Sequence, residues 1–489
     1  MRLADASHRY RKGAEVISAP STAKGNPMTY FDMPRAPGSP LRHAARNVSK
    51  AEAWAVLRLA VPLTGLALVN MAMSVTDTLM TAAFGVEALA AVAVASDFYS
   101  IFFYLAVGCI GGLGPLYAAA HASGHADRLA RLRTAGTITC ALLAVPICGL
   151  LWQTPALLSL LGIDNDIADA GTGYVRAMAL TVIPMLAVGV LRTRLTAIER
   201  PGVMLRITLC AVPLNAIFNY VLMYGAFGLP ELGVTGAGVS SLLVGVLTLA
   251  ALMREARRVG DSGSGRVDPE DVAAIFRIGV PIGIATLAEV GIYLGATIYA
   301  ASLSVTDAAA HAVAIRLAGI SYAFYFGLQQ ASMTRLARVD PESGRGGDVV
   351  GTTMVLGMAI GLSVCATLLV AAAPISNYAL QGSPPAAVGI AITVIGVLAL
   401  TELFGPAGAG AAGLLRARAV TRPVMVYSLI GNWLVSGPLI AFFTIVFDMG
   451  AIGIWIAMAT GTIVYSGLCV WALRNLPAAR QAASDGSPT

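Results

Sequence analysis

From residue 56 onward the chain alternates between long apolar runs and short polar connections. The runs fall near 56–81, 88–119, 134–153, 172–197, 205–226, 235–254, 276–302, 308–336, 350–373, 387–412, 424–447 and 451–473. Each can cross the bilayer core, about 30 Å thick, which takes about 20 helical residues. A strand left open in lipid has unpaired backbone groups, so the pattern predicts twelve membrane-spanning helices. Residues 1–50 are polar, carry nine Lys/Arg and read as a disordered tail. The first apolar run comes too late and is too long for a signal peptide. Met28 and Met33 are alternative starts.

An even number of spans puts both termini on one side. Outside the tail, basic residues cluster before span 1 (Arg58) and in the 2–3 (Arg128, Arg131, Arg133), 4–5 (Arg192, Arg194, Arg200, Arg206) and 6–7 connections (Arg254, Arg257, Arg258, Arg266, Arg277). They recur in the 8–9 (Arg335, Arg338, Arg345) and 10–11 connections (Arg416, Arg418, Arg422) and in the C-terminal tail (Arg474, Arg480). With the tail, 30 of the 32 Lys/Arg lie on one side, which the positive-inside rule makes cytoplasmic. The other side carries acids: Glu87, Asp164, Asp166, Asp169, Glu231, Asp307 and Asp448.

Composition sharpens this picture. Apolar residues make up 57% and charged residues only 12% of the 489 positions. That excludes an ordinary soluble enzyme and a nucleic-acid binder. The pI near 9.0 reflects the one-sided arginines. The six cysteines all fall in apolar runs and read as small buried hydrophobes.

The chain also repeats itself. RLAVPLTGLALVN (58–70) resembles RIGVPIGIATLAE (277–289) at an offset of 219, which carries Pro62 onto Pro281 and Gly108 onto Gly327. TRLTAIERPGVM (193–204) resembles LRARAVTRPVMV (415–426) at an offset of 222, which carries Arg194 onto Arg416. GVTG (233–236) resembles GAIG (450–453). Three collinear links predict an all-α membrane protein of two pseudo-symmetric six-helix lobes, a transporter signature. The expected organisation is a basic cytoplasmic tail (1–50), an N-terminal lobe (51–258), a cytoplasmic linker (259–275), a C-terminal lobe (276–474) and a cytoplasmic tail (475–489).

An ionisable side chain at mid-membrane costs at least about 2.5–3.5 kcal/mol, so each one inside a span is a functional candidate. These are Asp77, Asp97, Glu289, Arg316 and Glu402. Pro62, Pro184, Pro213 and Pro281 fall inside spans, where they weaken the backbone ladder. Spans 2 and 8 carry aromatic clusters at repeat-related places, among them Tyr99, Phe103, Tyr322 and Tyr325. Such walls suit flat lipophilic cations. No GxxxxGK[ST] motif is present, and the five histidines show no metal or triad spacing. The reading is therefore not an enzyme, with no cofactor, no metal and no ATP. An ion gradient would supply the energy: one charge crossing about 100 mV yields about 2.3 kcal/mol.

The chain resembles the MATE (multidrug and toxic compound extrusion) transporters, nearest the NorM-type branch, over roughly 54–474. The resemblance rests on Pro62 followed by Asp77-Thr78, on Asn215, Asn219, Tyr224-Gly225 and GLPELGVTGAG, on Pro281 followed by Glu289, on Ala310-His311 and on Leu415-Arg416. It implies a cation-coupled antiporter that exports lipophilic, often cationic drugs or metabolites by alternating access. It implies a multi-pass protein of the bacterial cytoplasmic (inner) membrane, acting as a monomer in the lipid bilayer. It also implies that Asp77 and Glu289, with Asn215, Asn219 and Glu402 near them, bind the coupling ion or substrate. NorM-type members often carry an acid eleven residues before the span 10 arginine, but this chain has Gly405 there, and the nearest acid is Glu402. Of H⁺ and Na⁺ as coupling ion, that favours H⁺. A flippase of the related lipid-linked oligosaccharide exporters and a dedicated natural-product exporter are the alternatives. At offset 219, Asp97 falls on Arg316, which suggests an ion pair between the lobes that gates the periplasmic side.

Overall fold

A computed structural model describes residues 49–84, 86–154, 165–261, 263–339, 345–381 and 384–475. The tails, residues 1–48 and 476–489, lie outside the described residues. The helices are α1 (Lys50–Ala82), α2 (Val86–Gly111, running on as Leu113–Ala122), α3 (Ala126–Trp152), α4 (Asn165–Ala197), α5 (Pro201–Tyr224) and α6 (Val234–Arg258). Then follow α7 (Pro269–Leu303), α8 (Val305–Arg338), α9 (Gly346–Ala379), α10 (Pro385–Thr401 and Gly405–Ala417), α11 (Thr421–Val446) and α12 (Gly450–Asn475).

Local chemistry sets many of the boundaries. Ser49 caps α1 by accepting from the Glu52 amide, and Ser304 caps α8 by accepting from that of Asp307. Asp268 caps α7 ahead of Pro269, whose missing N–H costs nothing in a first turn. Gly225 closes α5 in the left-handed region at φ 68°.

Among the described residues, eleven helices are each long and apolar enough to span, and the two segments of α10, bent by 41°, make the twelfth. Span 10 reads as one uninterrupted helix in sequence; the structure breaks it at 402–404. Pro406 disfavours helical geometry in the residue before it and cannot donate to the ladder, so the helix restarts at Gly405. Helix α11 carries two π-helical stretches, Ile430–Val435 and Phe442–Val446. Buried Cys109, Cys140, Cys365 and Cys469 match the expectation, whereas Cys148 is half-buried and Cys210 is exposed on α5.

The repeat is visible in the packing. In the first six helices α4 packs on α6, α2 on α4, α1 on α5, α5 on α6 and α3 on α4. The same pairs recur six helices later: α10 on α12, α8 on α10, α7 on α11, α11 on α12 and α9 on α10. Across the lobes α2 packs on α7 and α1 on α8, again equivalent pairs. Lipid gives helices no hydrophobic reason to associate, so close approach through small residues matters. Gly108 of α2 lies directly against Gly283 of α7, and Gly327 of α8 lies against Thr64 and the Ala60 carbonyl of α1. Residues 108 and 327, and residues 64 and 283, are each 219 apart, so the two contacts are one repeated contact.

The described ion pairs between the lobes sit at the arginine-rich end. Arg335 of α8 takes both Glu52 oxygens at 2.8 Å and Glu199 at 2.6 Å. Arg338 donates to the Ala197 carbonyl at 2.9 Å. Arg131 at the start of α3 pairs with Asp271 of α7 at 3.1 Å.

Candidate functional site

Each lobe holds a buried polar cluster. In the first, α1 brings Asp77 toward α5, where Asn215 and Asn219 lie one turn apart and so share a face. Asn219 Nδ2 donates to Asp77 Oδ1 at 2.6 Å and lies 3.5 Å from Asn215 Oδ1. Ser240 of α6 donates to the Asn215 carbonyl at 3.3 Å and fixes that turn of α5. Both amides are buried, yet Asn215 Nδ2 and Asn219 Oδ1 make no hydrogen bond. One unused donor and one unused acceptor therefore flank the carboxylate. No basic side chain pairs with Asp77 among the described residues. Its neighbour Thr78 has a side chain outside the described residues.

The second cluster is built on α7, α8, α10 and α12. Glu289 lies mid-way along α7, and its nearest cation is Arg416, from the second segment of α10, with Nη2 4.0 Å from Glu289 Oε1. Arg416 is 3% exposed and donates from Nη1 to Gln329 Oε1 of α8 at 2.8 Å. Tyr465 of α12 stands beside Glu289. Glu289 Oε1, Arg416 Nε and Nη2, Tyr465 Oη and Ser466 Oγ are all buried without a hydrogen bond. Sequence reasoning missed Arg416 and Gln329 as site residues. Two signals pointed to Arg416: the Leu415-Arg416 pair of the resemblance, and its repeat match to Arg194, which is also buried.

Glu402 sits at the α10 break itself, 2% exposed, beside Ser321 and with Oε2 unpartnered. Gly361 of α9 packs directly on its carbonyl, which a side chain at 361 would prevent. At Gly405, the position of the missing acid, a Cβ would come within 2.9 Å of the Tyr325 ring. Tyr325 thus fills the space that the acid would need.

The aromatics divide. Tyr99 and Phe103 stack with centroids 5.3 Å apart and pack on the core of the first lobe, half-buried. Tyr322 is 39% exposed and meets Tyr325 edge-on at 6.3 Å. Arg316 is exposed and has no ion pair to a described carboxylate. The side chain of Asp97 lies outside the described residues. His311 is tied to structure: it meets Thr297 of α7 at 3.0 Å and accepts from Trp455 of α12 at 3.1 Å.

The chain matches the MatE family model over residues 62–221. It is 30% identical over 465 residues to a probable multidrug resistance protein NorM of Bradyrhizobium diazoefficiens, covering 92% of this chain and 99% of that one. A second such protein, from Mesorhizobium japonicum, is 30% identical over 453 residues, covering 88% and 96%. Among solved structures, the eukaryotic MATE transporter AtDTX14 superposes with a TM-score of 0.76 at 19% identity, covering 86% of this chain and 95% of that one. A MATE in the bent conformation superposes with a TM-score of 0.77 at 16% identity, covering 88% and 96%. The likeness to these structures is one of fold; the full-length identity to the NorM proteins carries the kinship. With two six-helix lobes, repeated packing and carboxylates within the spans on the motif positions, the chain belongs to the MATE family of membrane transporters, on its NorM-type branch.

Proposed function

We propose that this transporter exports lipophilic organic cations, coupled to inward movement of H⁺, by alternating access between its lobes. The observation that carries the reading is Asp77: a half-buried carboxylate within a span, accepting from the Asn219 amide with no basic partner among the described residues, and with unused donor and acceptor atoms beside it. A buried ionisable group in a membrane is expensive unless it works. The name of the relatives, multidrug resistance protein, supports a drug-like cargo. Two features favour H⁺ over Na⁺: Gly405 replaces an acid, and Arg416 already places a positive charge by Glu289. The arginine-rich end is the cytoplasmic one in this reading, with both termini there, in a bacterial inner membrane. The lobes touch through ion pairs at that end, which supports a state closed to the cytoplasm. Asp97 and Arg316 would meet when the opposite side closes.

The test is efflux of cationic dyes from vesicles, with pH and Na⁺ gradients imposed separately. A pH gradient should drive efflux, and a Na⁺ gradient at clamped pH and potential should not. Asp77→Asn and Glu289→Gln should each abolish driven efflux at normal expression; full transport by both refutes the assignment. Loss in Asp97→Asn and partial recovery in Asp97→Arg with Arg316→Asp would support the gate.

A further inference from the structure

The second cluster contains its own cation. Arg416 is buried, carries a permanent charge and sits 4.0 Å from a carboxylate oxygen that has no hydrogen bond. It is not locked there. Only Nη1 is hydrogen-bonded, to Gln329 at 2.8 Å, while Nε and Nη2 make no hydrogen bond. Its repeat mate Arg194 is the contrast: Nε donates to Asp261 Oδ2 at 3.0 Å and Nη2 to the Asp261 carbonyl at 2.9 Å. Arg194 is a finished structural pair. Arg416 is parked one contact short of one.

An unpaired carboxylate buried in a span is costly, and a guanidinium at this distance relieves it without a formed hydrogen bond. A second positive charge reaching Glu289 must first push the guanidinium away. We propose that Arg416 is a tethered cation that occupies Glu289 in the cargo-free transporter and competes with the transported cation for it. Arg416 thereby weakens cargo binding and speeds release, returning to Glu289 as cargo leaves. Gln329 is the holding point to which it withdraws. The inference rests on the export reading above and makes Arg416 a specificity-determining residue for it.

The experiment is binding of tetraphenylphosphonium to the purified full-length protein, followed by dye-efflux rates in vesicles. Removing the competitor raises the fraction of protein with Glu289 available, so Arg416→Gln should tighten binding about tenfold or more. The same variant should lower maximal efflux, because release loses its push. In Glu289→Gln the added Arg416→Gln change should have no effect on affinity, since the contested group is gone. Arg416→Gln binding no tighter than wild type overturns the proposal. A purely structural arginine would instead lower affinity and stability together. If Arg416→Gln does not fold, Gln329→Met decides. It frees the guanidinium toward Glu289 and should weaken binding several-fold; unchanged affinity overturns the proposal. Wild-type protein that neither binds nor exports the cation overturns the export reading itself. Wild-type binding that Arg416→Gln leaves unaltered overturns the tethered cation alone.

Discussion

At the scale of single residues, the polar atoms left unpaired inside the spans carry the functional argument. Buried polar groups normally find partners, and exceptions need a reason. Here several such atoms lie around Asp77 and around Glu289, where the unpartnered groups are amides, a guanidinium and a carboxylate; many of the others are hydroxyls elsewhere in the spans. Both acids were legible in the sequence, because a carboxylate deep in an apolar run has few structural explanations. The role of Arg416 was not: it belongs to the Leu415-Arg416 pair of the resemblance, but at the end of an apolar run it reads as one more basic flank, and only the structure shows it turned inward to Gln329. Gln329 carried a weaker signal, since an uncharged amide costs less to bury than a charge and this one matches no motif of the resemblance. The residue at 405 gives a test at this scale. Gly405→Asp, which supplies the acid that the resemblance leads one to expect there, should destabilise the protein by about 1–3 kcal/mol, because its Cβ meets the Tyr325 ring at 2.9 Å. Thermal unfolding in detergent should show that loss, and adding Tyr325→Ala should recover part of it. An undiminished melting temperature for Gly405→Asp would mean that Tyr325 is not what excludes the acid.

At the scale of elements, hydrophobic length located the twelve spans, with some ends displaced by up to eight residues where polar turns extend the helix, but not their irregularities. A broken helix and a straight one have the same apolar content, so the bend in α10 left no trace in periodicity. The π-helical turns of α11 are equally silent, since one extra residue per turn does not disturb a run that is apolar all round. The glycine crossings are different: the repeat alignment already paired Gly108 with Gly327, and the structure gives the pairing its cause. Each lets an α-helix of one lobe touch the backbone of the other. Gly327→Leu should therefore push α8 off α1, lower the melting temperature and abolish efflux. Gly149, which has open space around its Cα, is the control: Gly149→Leu should do neither. Equal effects from both would deny the crossing its role.

At the scale of the whole molecule, two lobes of matching architecture meet along one repeated contact, with ion pairs added at a single end. Arg335 anchors that end, binding Glu52 and Glu199 from two separate parts of the first lobe. Arg335→Gln should loosen the closure. A cysteine placed at Met333, a buried position on α8 beside Gly114, should then react faster with a maleimide than in the parent, in a background lacking the six native cysteines. Unchanged labelling would mean that the glycine crossings alone keep this end shut.

The start of the connection between the lobes has a further consequence. Asp261 is buried against Tyr117 and Arg194, and Gly265 exchanges hydrogen bonds with Thr134 at 2.9 and 3.1 Å while lying flat on the backbone at Ala130. Mechanically, the first half of this stretch is part of the first lobe. The free tether shrinks to Arg266 and Val267, because Asp268 caps α7 and pairs with Arg131 at 3.7 Å. So short a leash leaves the halves held together by their packed helices and ion pairs rather than by the covalent connection. Opening the chain after Gly265 and making the pieces as two polypeptides should still yield a working transporter. Cutting it after Val259, which strands the docking residues on the wrong fragment, should not.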